Sequence, residues 1–177
     1  MKERVDPHKT AVVVVKRILV PIDRSEYKEK IAAYAISLAN AWGAEMTAVH
    51  VVEPRHALPD GVEAEAKEQA RIAVSKTQAE NLLNEIGILA NKQGLNIKKE
   101  AIQPSDLLAN NQGLNIKGEA VEESGIVGKA IIDYAEENNI DVIVIGTKGM
   151  SAVEEYFFGS VANKVIHEAH CPVFAIR

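Results

Sequence analysis

A disulfide within the chain is excluded at once, because its 177 residues include a single cysteine, Cys171. A lone thiol gives no sign of an oxidising compartment, so a reducing cytoplasm is the expected setting. Excess positive charge is also missing: 20 Lys and Arg against 25 Asp and Glu leave a net charge of -5. Nucleic acids and anionic membranes are bound chiefly through clustered positive charge, so neither is an expected partner, and any anionic ligand must be held locally. Long apolar runs are absent too. The most apolar stretch near the start, Ala11 to Ile22, is interrupted by Lys16, Arg17 and Pro21. It is too short and too charged for a membrane-spanning helix, and it lacks the cleavage region of a signal peptide.

What is present, 47% hydrophobic and 25% charged residues, is the composition of an ordinary globular protein. A compact fold of this length buries roughly 70% of the surface exposed by the unfolded chain, enough for a core without disulfides or a structural metal. One domain over residues 1–177 is expected, with residues 1–16 as an N-terminal extension.

Five apolar, β-branched runs alternate with helical patterns: Ile18 to Ile22, Met46 to Val52, a run ending near Val121, Asp141 to Ile145, and Pro172 to Ile176. Such alternation predicts βαβ units and a parallel α/β sheet. Tyr27, Ile31, Tyr34, Ala35, Leu38 and Trp42 recur at helical steps between Ser25, an expected N-cap, and Gly43, an expected stop. A longer helix is predicted after Asp60-Gly61, with Ala79, Leu82, Leu83, Ile86 and Leu89 as its buried stripe and Gly94 as terminator. Gly87 is unfavourable there by about 1 kcal/mol relative to Ala, which allows a kink or an early end. A third helix is predicted after Ser124, burying Val127, Ala130, Ile131, Tyr134 and Ala135. The last starts near Gly159-Ser160, uses Val161, Val165, Ile166 and Ala169, and stops before Pro172.

A repeat interrupts this plan. Ile88 to Ala101 reads ILANKQGLNIKKEA and Leu107 to Ala120 reads LLANNQGLNIKGEA, identical at 11 of 14 positions with an offset of 19 residues. Two copies are too few for a solenoid, so residues 88–101 and 107–120 are read as a tandem duplication of one helix end and one strand. The second strand, Asn115 to Val121, leads directly into the third helix and is expected to hold the normal third place in the sheet. That leaves Leu95 to Ile102 as an additional edge strand, with Pro104-Ser105-Asp106 opening a short crossover, or as an ordered loop.

The most informative string is Gly146-Thr147-Lys148-Gly149, nine further residues, then Gly159-Ser160, directly after the apolar run DVIVI. Glycines at a strand end let the backbone approach a phosphate, and a helix opening at Gly-Ser offers unpaired N–H groups and the positive end of its dipole. A tight turn and a helix boundary would account for the same glycines. The first strand ends ILVPIDRSE. In an open parallel sheet, ligands sit beyond the carboxyl ends of the strands where the winding reverses. If the first and fourth strands are neighbours, Pro21 to Asp23 and Gly146 to Gly149 face one crevice, where Asp23 can meet ribose hydroxyls or serve merely as a turn residue.

At these residues the chain resembles the universal stress protein family. The shared features are ILVPID-SE at the first strand, HVVE at His50 to Glu53, the spacing G-x2-G-x9-G-[ST] at Gly146, Gly149, Gly159 and Ser160, and the closing HCPVFAI. The resemblance runs from about Arg17 to Arg177. It implies a five-stranded parallel sheet in order 3-2-1-4-5 with helices on both faces, a homodimer, and ATP binding. Carried onto this chain, it implies that Val51 pairs with adenine through its backbone, with Pro21 near the base. Asp23 and Gly146 then meet the ribose. Thr147 and Lys148 lie inside the first glycine pair. Gly149, Met150, Ser151 and Ala152 line the triphosphate, together with Ser160, Val161 and Ala162 at the helix start. Arg24 replaces a common Gly, and Ala162 replaces a common hydroxyl-bearing residue, which removes one phosphate contact.

Other motifs weaken on inspection. Gly125-Ile-Val-Gly128-Lys129-Ala130 lacks the earlier glycine and the Ser or Thr that a phosphate loop needs. No G-x-G-x-x-G follows the first strand, which disfavours a dinucleotide dehydrogenase. His167, His170 and Cys171 offer three ligands where zinc normally needs four, and His50 reads as a satisfied histidine in an apolar strand. No convincing catalytic base stands beside the phosphates.

The expectation is therefore an ATP-binding regulatory protein whose occupancy acts as a conformational or assembly switch. Mg2+ or Mn2+ would be held mainly by the phosphates, and dimerisation would use the C-terminal edge strand. The competing readings are a slow ATPase or an adenylate-transferring enzyme of the related ATP-pyrophosphatase fold, and a structural dimer with vestigial glycine loops. Gly146→Val is expected to fill the space beside ribose and phosphate while leaving the fold intact.

Overall fold

The computed structural model describes residues 13–52, 62–103, 123–148 and 158–177. In chain order the described elements are β1 (Arg17–Pro21), α1 (Lys28–Trp42), β2 (Glu45–Val51), α2 (Val62–Lys92), β3 (Lys98–Ile102), α3 (Glu123–Glu137), β4 (Val142–Gly146), α4 (Ser160–Glu168) and β5 (Val173–Ile176). The five strands form one sheet in the order β3-β2-β1-β4-β5, and every pairing is parallel. Fold class and strand order thus agree with the expectation.

Strand side chains alternate between the two faces, and this alternation divides the core in two. Ile18, Val20, Met46, Ala48, Val142 and Val144 point to the face covered by α1 and α2, where they meet Ile31, Ala35, Ile36, Leu82, Leu83 and Ile86. Leu19, Val49, Val51, Ile143 and Ile145 point to the face covered by α3 and α4, against Ile131, Tyr134, Ala135 and Val165. Both faces are covered by helices, which is why the central strands read as continuous apolar runs rather than alternating ones. At the opposite end from the crevice, Asp141 Oδ2 accepts the N–H groups of Lys16 and Arg17, each at 2.8 Å. This contact locks the entry of β1 to that of β4.

The helices carry several corrections. Ser25 does not cap α1: Tyr27 holds that position without a side-chain bond, because the chain from Asp23 is still turning at Ser25. The buried face of α1 is Ile31, Ala32, Ala35, Ile36 and Ala39, rotated from the expected stripe so that Tyr34 and Trp42 are 52% and 39% exposed. Small alanines let the helix lie close to the sheet, and the large aromatics are turned to its flank. Gly43 stops α1 in the left-handed region at φ 63, where glycine has no steric penalty. In α2 the helix runs unbroken through Gly87, whose missing side chain is replaced by Lys99 of β3: a Cβ there would lie 3.1 Å from the lysine's Cδ and Nζ.

The third place in the sheet also departs from expectation. It belongs to the first copy of the duplicated strand, with Lys98 to Ile102 in register with Thr47 to Val51; Asn115 to Val121 and the Pro104-Ser105-Asp106 segment lie outside the described residues. Chain closure and side chains explain the preference. Gly94 at φ 75 ends α2, Leu95 N–H returns to Ala90 O at 3.1 Å, and three residues later the chain is already in β3. Lys99 Nζ then donates to Asn84 Oδ1 at 2.9 Å and Ile102 is buried. The second copy has Gly118 and Val121 at the equivalent positions, a glycine that weakens a strand and a smaller apolar side chain.

Candidate functional site

The connections after β1 and β2 are α1 and α2, on one face of the sheet, while α3 and α4 cover the other. The winding therefore reverses between β1 and β4, which pair directly through Ile18 with Val142 and Leu19 with Ile143. A crevice beyond their carboxyl ends follows from this topology. The sequence placed Pro21, Asp23 and Gly146 there, and the structure brings these residues to adjacent strand ends.

On the β1 side, Pro21 closes the strand and Ile22 N–H donates to Val49 O at 2.8 Å. His50 Nδ1 lies 2.7 Å from Ile22 O. With a carbonyl as partner, this ring nitrogen carries the proton, so the imidazole works as a clamp on the strand end. Asp23 Oδ1 accepts Ser25 N–H at 3.0 Å, a local turn that the sequence had allowed as one role for this carboxylate. Ser25 itself is 7% exposed, and among the described residues its Oγ has no hydrogen-bond partner. The register of β1 with β2 ends at Pro21 and Val49, so the backbone of Val51 projects past the last rung of that ladder. On its other side Val52 N–H is tied to Ile102 O at 2.8 Å, while the Val51 side chain is buried in the second core cluster.

On the β4 side the organising residue is Thr147. Its N–H donates to Ile176 O and its C=O accepts Gly159 N–H, both at 2.8 Å. With both backbone groups engaged and its side chain buried, Thr147 ties the end of β4 to β5 and to the start of α4. The consequence is that α4 begins beside the end of β4. Gly159 is its N-cap at φ -56 and ψ 150, and the first helical bond runs from Asn163 N–H to Gly159 O at 2.9 Å. The N–H groups of Ser160, Val161 and Ala162 precede that bond and are the orphan donors of a helix start. Ala162 has its methyl group in the core, so the backbone is what this position can offer. Lys148 is partly exposed beside them. Gly149, Met150, Ser151 and Ala152 lie outside the described residues.

Gly146 requires a correction. A Cβ on it would lie 2.4 Å from Ile31 Cδ1, and Ile31 is 3% exposed in the core. The glycine thus sits tightly against the buried end of Ile31, and Gly146→Val forces that side chain to shift and disturbs the core as well as any ligand. No sequence signal could separate the two roles, since Ile31 is simply one apolar position of an amphipathic helix. His50 and Thr147 were likewise legible as residues but not as the clamp and tie that they are.

The histidines and cysteine near the end of α4 are engaged with their own backbone surroundings. His167 Nδ1 is 2.8 Å from Asn163 O and His170 Nε2 is 3.2 Å from Ile140 O. Burial, then the charge of Asp141, push the Cys171 thiol above its ordinary range, which disfavours the thiolate that metal binding requires. Across the sheet, Tyr134 donates to Glu100 Oε2 at 2.8 Å. Burial first, then this carboxylate, hold its phenol protonated well above the usual range, so the contact persists as a neutral donor stitching α3 to β3.

A parallel sheet in this order, with its winding reversed between β1 and β4 and the start of α4 held at the end of β4, defines an open, doubly wound α/β fold. The universal stress protein family model matches residues 15–177, and the chain belongs to that family. A universal stress protein of Methanocaldococcus jannaschii is 28% identical over 162 residues, covering 92% of this chain and 82% of that protein. Among solved structures, the universal stress protein UspA from Lactobacillus plantarum matches with TM-score 0.73 at 22% identity, over 94% of this chain and all of its own. A universal stress protein from Archaeoglobus fulgidus in complex with dAMP matches with TM-score 0.58 at 22% identity, over 93% of this chain and 100% of that one. These structural likenesses establish the shared fold. Among the described residues no helix is long and apolar enough to cross a membrane.

Proposed function

We propose that this chain binds ATP in the crevice between β1 and β4 and acts as a nucleotide-dependent regulatory protein of the cytoplasm. The observation that carries the reading is the Gly159 N–H to Thr147 O bond at 2.8 Å. It fixes the helix start next to the end of β4, so that three backbone donors and the positive dipole end converge where phosphates would lie. Asp23, with Oδ1 engaged by Ser25 N–H, offers Oδ2 to the ribose, and the projecting backbone of Val51 meets the adenine edge. Gly149, Met150, Ser151 and Ala152 complete the phosphate side in this reading. The dAMP complex of the Archaeoglobus relative supports a nucleotide as the ligand class. Mg2+ or Mn2+ accompanying ATP rests mainly on the phosphates in this reading.

The test is to purify the protein without added nucleotide, identify any bound small molecule by mass spectrometry, and titrate ATP by calorimetry. Bound adenine nucleotide, or a Kd below the millimolar range that weakens in Asp23→Ala, is the expected result. No bound nucleotide together with no binding below 1 mM, on the order of 4 kcal/mol, would sink the reading.

Occupancy is read out through assembly. β5 is an edge strand, and on it Phe174, 41% exposed, meets Trp42 edge-on with ring centroids 5.9 Å apart. An exposed aromatic pair beside a strand that is, among the described residues, the edge of the sheet is a surface to be covered, and a second copy of the chain covers it in this proposal. The assembled form then presents itself to a downstream protein. Phe174→Glu is expected to shift the protein to monomer in sedimentation analysis; a wild type that is already monomeric at the same concentration would overturn the dimer.

A further inference from the structure

The duplicated segment carries more than a surplus of chain. We infer that the two copies compete for one place in the sheet, and that the protein exchanges β3 between Lys98–Ile102 and the equivalent residues 117–121. The local requirements of that place are now visible, and the second copy meets most of them. Lys98, Glu100 and Ala101 recur as Lys117, Glu119 and Ala120. The Tyr134 hydroxyl, which donates to Glu100 Oε2 at 2.8 Å, finds the same carboxylate in Glu119. The buried Ile102 becomes Val121, apolar and β-branched. The larger loss is Lys99, which lies over Gly87 and bonds Asn84 and which becomes Gly118; the smaller is the methylene by which Val121 falls short of Ile102. The first copy is therefore the favoured occupant and the second a near-equivalent one.

The chain length permits the exchange. With the first copy in place, residues 93–97 connect α2 to β3 and residues 103–122 connect β3 to α3; with the second, residues 93–116 would make the first connection and residue 122 the second. Closure entropy varies only slowly with loop length, so this redistribution is a small term beside the strand contacts. The exchange stands on the sheet alone and on no ligand.

A proline pair tests it. Ile102 O accepts Val52 N–H at 2.8 Å, and in a parallel ladder this turns the N–H of Ile102 and, two residues earlier, of Glu100 toward β2. Proline at position 100 removes a ladder bond, and proline at 119 removes its counterpart in the second copy. Urea unfolding of the full chain is the readout, which needs no ligand. E119P alone is expected to leave the midpoint unchanged. E100P alone should lower it by less than half as much as E100P/E119P, because the intact second copy substitutes. Equal losses in E100P and the double variant, or strictly additive losses, overturn the exchange; so does an E100P that fails to fold at all.

Discussion

Gly146→Ala is expected to destabilise the protein by about 1–3 kcal/mol, the usual cost of forcing an atom into a filled core, and Ile31→Val is expected to relieve most of that cost. The reason is atomic. A Cβ at position 146 collides with Ile31 Cδ1 at 2.4 Å, whereas the next atom, Cγ1, stands 3.3 Å away. Valine at position 31 lacks Cδ1 and keeps the rest of the side chain, at a cost of its own of about 0.5–1.5 kcal/mol. The double variant should therefore be more stable than the sum of the singles by at least about 1 kcal/mol, a coupling readily resolved in urea denaturation. Additive losses would mean that the strain at Gly146 lies elsewhere. The pair also separates fold from function: ATP titration of Gly146→Ala on the Ile31→Val background reports what the extra methyl group does to the ligand once the core has room for it.

Ser160→Pro should weaken ATP by roughly ten- to a hundredfold while leaving the unfolding midpoint nearly unchanged. One hydrogen bond to a charged group is worth about 1.5–3 kcal/mol, and proline at the first helical position removes one such donor. Elsewhere in a helix proline would be ruinous, but at this position its missing N–H is an orphan anyway. The preceding residue must avoid the helical region, and Gly159 already does so with ψ 150. Ser160→Ala separates the hydroxyl from the backbone: it should bind nearly as the wild type does. Equal affinity of Ser160→Pro and wild type, measured by calorimetry, would show that the helix start is not a phosphate site.

Much of this fold was legible because its signals are local. The runs around Leu19, Val49 and Ile143 are short, β-branched and punctuated, and Gly43 and Gly94 mark helix ends at positions that only a left-handed residue suits. Legibility failed where two distant segments make a choice together. The face of α1 is set by how closely Ala32, Ala35 and Ala39 approach the sheet, so size rather than hydrophobicity alone decided against Tyr34 and Trp42. The occupant of the third strand was decided by Lys99 meeting Asn84 on α2, a contact that no inspection of the repeat could supply. The site behaves in the same way. Asp23 and the glycines are marked by residue type, but Ile31, His50 and Thr147 acquire their roles only when β1, β2, β4 and α4 are assembled.

The two bonds of Thr147 have a thermodynamic meaning. Ile176 O and Gly159 N–H are held by the same peptide-linked residue, so the end of the edge strand and the start of α4 are two hydrogen bonds apart. Anything that draws the helix start toward an anion also acts on the strand end that a second copy would approach. Linkage then requires reciprocity: if ATP strengthens self-association by some factor, self-association must strengthen ATP binding by that same factor. The dissociation constant for nucleotide should accordingly fall as protein concentration rises, giving the chain a means of registering its own abundance.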